Sequence, residues 1–288
     1  MSGPRPWPGG ARAAVSITVD NLGEAAEIEL GLRDPADPLG SHYSVTTALP
    51  IVLGELAAAR MSATFFVEGI NAEAYPDALH AIADAGHEVG FHAWCHEDWS
   101  ALDADAEVAN LDRGLAAMRG IGLDVVGMRP PGGRLTPRSL ELFASRGLRC
   151  CSPAGHTAGI ATGDGGLAVI PFAWPAVDAF HVLPGFGALR QHVVGSEEPG
   201  GPDAIRASLL AAVEEAIATG GHTTLVLHNW AIELERDAVR DVLARIRQEV
   251  DAGNLWAAPC RDVAAWIADN AAGFPDAPTL DHTSWTEP

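Results

Sequence analysis

In the stretch FHAWCHEDW, His92 and His96 stand four residues apart, with Trp94 between them and Glu97 and Asp98 just beyond. Two imidazoles at that spacing can share one divalent cation, or they can cap a turn and bond to backbone. Cys95 lies between them, where a buried, inert thiol is the simpler reading. Three other stretches carry reactive side chains: Asp20 and Asn21 close AAVSITVDN, Arg129 opens RPPGG, and His228 closes TTLVLH. A cation held by two neutral imidazoles and an oxygen keeps positions open for water and for a scissile carbonyl. A carboxylate can then take a proton from water, and a histidine can give one to a departing nitrogen. His228 is otherwise a neutral core histidine on a buried strand.

These residues need a scaffold that brings them together. Short apolar, β-branched runs alternate with alanine-rich helical patterns over almost the whole length, the pattern of a parallel sheet with crossover helices. The strands are expected at 13–20, 63–69, 87–94, 124–130, 148–152, 167–174 and 223–230. Helices are expected near 46–60, 76–85, 104–119, 137–146, 203–219, 235–252 and 261–269. Asp20, His92, His96, Arg129 and His228 all fall at strand ends, which face one rim in a parallel barrel. Two long segments, 21–44 and 180–202, break the rhythm and are expected as loops enclosing a substrate.

The chain has 288 residues and is 48% hydrophobic, enough for one large α/β unit. The expected division is a flexible leader over 1–12, one barrel over 13–270 and a tail over 271–288. All 18 basic residues are arginine and face 38 acids, for a formal charge of −20. Such a field repels nucleic acid and anionic membranes and admits neutral or cationic ligands. The absence of lysine excludes Schiff-base chemistry and a P-loop. No signal peptide or membrane span is recognisable, and four cysteines without CxxC spacing fit a reducing compartment, so a cytoplasmic location is expected. The oligomeric state stays open, a homo-oligomer included.

The motifs together resemble those of the polysaccharide deacetylases, the NodB-homology domains. TVDN (18–21) stands where that family has T-F-D-D, HAWCH (92–96) matches H-[ST]-x-x-H, RPPGG (129–133) matches R-x-P-x-G, and LVLH (225–228) matches L-x-L-H. The likeness spans about 13–268 with the motifs in the family's order. It implies a distorted (β/α)7 barrel and metal-dependent hydrolysis of N- or O-acetyl groups. It makes Asp20 the base, Asn21, His92 and His96 the metal ligands, His228 the acid, and Arg129 the partner that keeps Asp20 ionised. It also makes the Gly132 N–H an oxyanion donor. In FAWPAVDAF (172–180), Trp174 becomes a pocket wall and Asp178 a pocket residue that orients His228; Trp94 and Trp230 are further substrate contacts.

Three positions depart from the family. Asn21 replaces the metal-binding aspartate and removes a charge that attracts the cation. Either Asp20 ligates, or an acid from 21–44 such as Glu24 completes the site, or the metal has been abandoned, as described for relatives resembling allantoinases and cyclic-imide hydrolases. Gly132 replaces an aromatic residue of the sugar groove, and Ala93 replaces the usual Ser or Thr. The expectation is a hydrolase of C–N amide bonds that removes acetyl from a small or sugar-like amide with zinc, cobalt being the other candidate. The alternatives are a metal-free amidohydrolase of cyclic imides or ureides, and a barrel with a binding or non-hydrolytic biosynthetic role.

Overall fold

The computed structural model describes residues 7–161, 166–274 and 278–281. Its architecture is set by the strand Ala13–Asp20, in which every residue is buried, as a strand covered on both faces requires. It pairs in parallel with His222–His228 on one edge. Thr64–Val67 pairs with its C-terminal part and Leu255–Ala257 with its N-terminal part. The parallel sheet continues through Glu88–Phe91, Gly127–Met128, Cys150–Cys151 and Ala168–Val169. Beyond that strand, an isolated parallel bridge from Val177 to Val226 leads back to His222–His228. The seven barrel strands are those expected, and the fold is a distorted (β/α)7 barrel whose strands shrink to two residues on one side.

The crossover helices follow local signals. Pro76–Asp84 and Pro202–Thr219 each begin on proline, and Asp103 caps Ala104–Gly120 by accepting the Ala106 N–H at 2.9 Å. Gly220 ends Pro202–Thr219 in the left-handed conformation that glycine adopts without a steric penalty. The helices bury apolar stripes, such as Val239, Val242, Leu243 and Ile246 of Ile232–Asp251, against the sheet. Each such side chain contributes about 1.5–3 kcal/mol. No helix among the described residues is long and apolar enough to cross a membrane.

The structure corrects the expected boundaries. The leader expected over 1–12 is packed from Trp7 onward: its indole N–H donates to the Gly220 carbonyl at 3.0 Å, and its ring meets Trp256 and Phe274. Residues 1–6 lie outside the described part, as do 275–277 and 282–288 of the expected tail. Within that tail, Thr279–Leu280 pairs antiparallel with Gly155–Thr157.

The two long segments are structured as well. In 21–44, which contains the short helix Ala25–Glu29, the Tyr75 hydroxyl donates to Glu24 and accepts the His42 N–H, both at 2.7 Å. In 180–202, the buried Arg190 donates to the carbonyls of Phe180, Leu183 and Glu197 and organises the helix Gly187–Val194. Both segments are held by single polar side chains reaching across them, which local periodicity does not register.

Candidate active site

Sheet register places the reactive residues on one rim. Asp20 is the direct partner of His228, and Glu68, His92, Arg129 and Ser152 each follow the last residue of four successive strands. Arg129 is buried beneath them, and its Nη1 donates to Asp20 Oδ1 and to Thr18 Oγ1, each at 2.7 Å. Its Nη2 donates to Ser152 Oγ at 2.8 Å, and the guanidinium lies over Phe66 at 4.4 Å. This arrangement compensates a buried cation with an anion and neutral acceptors. Burial raises the Asp20 pKa, and Arg129 and His228 oppose the rise without cancelling it. Arg129 thus favours the ionised carboxylate as expected, while burial holds the carboxyl above its ordinary range.

The metal-ligand expectation changes more. Glu68, at the end of Thr64–Val67, brings a carboxylate oxygen to the ring nitrogens of His92 and His96, with all three atoms within 4.8 Å of one another. Its Oε2 accepts the N–H groups of Leu22 and Asn71, both at 3.1 Å, while Oε1 is buried without a partner among the described residues. Asn21 Oδ1 is likewise buried without a partner among these residues. His92 Nδ1 lies 2.7 Å from the Arg129 carbonyl, which can only accept, so the proton sits on Nδ1 and the Nε2 lone pair is free. Burial holds both histidines at about 3, hence as neutral imidazoles, and raises Glu68 to about 8, a shift that a nearby cation would oppose. Two neutral nitrogens and one carboxylate oxygen fit a divalent cation. Glu24 is turned away into its bond with Tyr75, and Cys95 is raised to about 12, chiefly by burial.

Backbone geometry is unusual here. Asn21, Ala93 and His96 have φ values of 60°, 61° and 65°, in the left-handed region that non-glycine residues seldom occupy. Asparagine tolerates this region better than most residues, which gives a local reason for its presence at 21.

On the other side of Asp20, His228 Nδ1 lies 2.5 Å from Asp178 Oδ1, and the His228 backbone N–H donates to Oδ2 at 2.6 Å. An ionised carboxylate only accepts, so Nδ1 carries the proton and Nε2 serves the cleft. Burial disfavours the imidazolium, but Asp178 and Asp20 outweigh it and raise the His228 pKa. Burial also opposes the Asp178 charge, but His228 overcomes it and the Asp178 pKa is lowered. Behind them Glu235 is buried, and burial together with the Asp178 charge pushes its carboxyl up to about 11, so it is neutral.

Asp20, His92, His96, Arg129 and His228 share a cleft of about 520 Å³ with Asn21, Gly132, Trp174 and Trp230. Both long segments border it, through Glu27, Leu30 and His42 on one side and Leu183 and Phe186 on the other. Gly132 has φ 65°, and its N–H donates to no group among the described residues. Two expected substrate contacts are absent from the wall. Trp94 packs beneath Arg113, whose guanidinium carbon is 3.5 Å from the ring centre, and Asp178 is fully buried behind His228.

Residues 38–151 match the family model for polysaccharide deacetylase. That segment is similar to a polysaccharide deacetylase domain. Chitin deacetylase 1 of Saccharomyces cerevisiae is 36% identical over 90 residues, which cover 31% of this chain and 30% of the yeast protein. The matches span about a third of the length of the curated relatives. Over the full fold, a Mycobacterium smegmatis structure named as a polysaccharide deacetylase superposes with a TM-score of 0.81 at 25% identity, covering 98% of both chains. The allantoinase Puue shares the fold at TM-score 0.72 and 19% identity, covering 93% of this chain and 94% of its own.

Within this site, sequence reasoning missed Glu68, Ser152 and Glu235. Glu68 had a signal, being an acid that directly ends the apolar run ATFFV, as Asp20 ends AAVSITV. Ser152 follows LRCC in the same way. Glu235 had none, because it occupies a helix start where acids are ordinary.

Proposed function

We propose that the protein is a metal-dependent hydrolase of C–N amide bonds that removes an acetyl group from a small amide. The observation that carries this reading is the Glu68, His92 and His96 cluster, whose two histidines line one cleft with Asp20 and His228. A bound divalent cation, zinc by the donor set, would polarise the scissile carbonyl and acidify water. Glu68, His92 and His96 would hold it, with the Asn21 amide oxygen as a neutral fourth donor. Asp20 removes the water proton, positioned by Arg129 at 2.7 Å. The Gly132 N–H receives the developing oxyanion, as a fixed donor aimed at new charge. His228 protonates the leaving nitrogen from Nε2, and Asp178 keeps it in the tautomer that can be recharged.

The test is elemental analysis with an activity assay on protein purified without chelator or histidine tag. About one equivalent of zinc or cobalt in the parent, lost together with deacetylation in Glu68→Ala and His92→Ala, supports the reading. A parent that stays metal-free after incubation with these ions, yet opens cyclic imides, would replace it with metal-free amidohydrolysis.

A further inference from the structure

The cleft has two unlike halves. One carries the reacting groups, and the other is built from Phe172, Trp174, Leu183, Phe186 and Trp230. Trp174 meets Phe172 edge-on and Phe186 at a tilt, each at 5.4 Å between ring centres, so they form one connected aromatic wall. Trp230 stands 5.5 Å from the His228 ring, which places an apolar surface beside the group assigned to the leaving nitrogen.

Side chains able to bind hydroxyls are few outside the reacting cluster. They are Glu27, His42 and Ser44, which bond to one another, His42 Nε2 to Glu27 at 3.1 Å and His42 Nδ1 to Ser44 at 2.8 Å, and the indoles of Trp174 and Trp230, which offer one donor each and no acceptor. An acetamido sugar brings several hydroxyls that lose water on entry and need donors and acceptors in return, of which this wall offers only indole donors. The mouth is apolar as well. Leu30 and Leu183 line the cleft while 68% and 37% exposed, on the two segments that border it.

Resting on the deacetylase reading above, we propose that this site takes an N-acetylated amine whose body is a flat aromatic or otherwise apolar group, and discriminates against acetamido sugars. The body lies against Trp174 and Phe186 with its nitrogen toward His228. The selectivity then comes from the segment 180–202 as much as from the barrel rim.

The experiment compares the zinc-loaded protein on N-acetyl-2-phenylethylamine, N-acetylglucosamine and N,N′-diacetylchitobiose, with calorimetric titration of the same compounds into the Asp20→Asn variant. The expected result is a kcat/KM for the aromatic amide about tenfold or more above either sugar. In Phe186→Ala and Trp174→Ala, KM for the aromatic amide rises severalfold more than KM for the sugars. Phe186 is only half-buried on a surface segment, so its variant keeps the test valid if Trp174→Ala fails to fold. Faster cleavage of a sugar overturns the proposal and leaves the deacetylase reading intact. If nothing is cleaved but the aromatic amide binds about tenfold more tightly than the sugars, the ligand class stands and the deacetylase reading falls. Equal or weaker binding of the aromatic amide without cleavage overturns both.

Discussion

Two buried glutamates, Glu68 and Glu107, illustrate how a fold separates structure from chemistry. Glu107 is saturated: its oxygens accept from Trp99 Nε1, Ser139 Oγ, Thr136 Oγ1 and Arg138 Nε at 2.6–3.3 Å. Glu68 is fully buried too, but one of its oxygens has no donor, and its neighbours include two neutral imidazoles. Glu88 is a useful third case, since it also leaves one oxygen unfilled, yet no imidazole joins it in a metal-binding group among the described residues. An unfilled oxygen alone therefore marks nothing. Combined with two imidazole nitrogens within 4.8 Å, it marks a place for a cation.

The largest expected effect breaks this comparison directly. Glu68→Gln should lower metal affinity beyond the 10–100-fold typical of an outer-shell partner, and activity by roughly 10³-fold, with folding retained. Glu107→Gln should keep metal and activity but unfold at lower denaturant, by about 1–3 kcal/mol, because donors tuned to a carboxylate lose their acceptor. Metal content and a urea melt on both variants decide the matter. Metal loss in Glu107→Gln, or full occupancy in Glu68→Gln, would erase the distinction.

The pair His228 and Asp178 sharpens it from the side of proton transfer. Asp178→Asn should reduce kcat by roughly 10²-fold, the usual scale of one general-acid contribution. The pH profile fixes the mechanism. A general acid is competent below its pKa, and Asp178 is what raises the His228 value against burial. Activity should fall as pH rises through that raised value, and in Asp178→Asn this alkaline limb should move to lower pH. A limb that stays in place would mean that another group donates the proton.

The barrel was legible because each strand is a buried apolar run bounded by turn residues. Asp20, Arg129 and His228 were legible because each follows such a run, so one register argument covers all three. Glu68 obeys the same rule after ATFFV but was passed over, because the reading looked for a replacement ligand near Asn21 rather than on the neighbouring strand. The helices inside 21–44 and 180–202 were hidden for a different reason. Their ordering depends on Tyr75 and Arg190, contacts made across the segments rather than along them.

Glu235 offers a smaller test, on stability. Its carboxyl is raised to about 11 in the fold, against 4.5 for the ordinary group. Between these values the unfolded chain has released a proton that the native state retains, so the group lowers stability progressively as pH rises. Glu235→Gln should remove that slope. The gain over the parent should be near zero at pH 4.5 and grow by about 1 kcal/mol per pH unit above it, as read by chemical denaturation at several pH values. A gain independent of pH would show that Glu235 is ionised in the native state.

The smallest effect concerns two tryptophans that the sequence treats alike. Trp94 and Trp174 are both buried and both were expected against the substrate, but only Trp174 borders the cleft. Trp94 instead stacks under Arg113, a cation–π contact of about 0.5–1 kcal/mol at a partly exposed site. Its ring also fills the space beside Gly69, where an added Cβ would come within 2.9 Å of it. Trp94→Phe should therefore cost on the order of 1 kcal/mol in stability and leave KM within about twofold of the parent. Trp174→Phe should raise KM more while keeping most of the packing. Steady-state kinetics on both variants with one substrate separates the roles. A KM increase in Trp94→Phe equal to that in Trp174→Phe would mean that the substrate reaches past His96 to the helix carrying Arg113, and the cleft would have to be redrawn on that side.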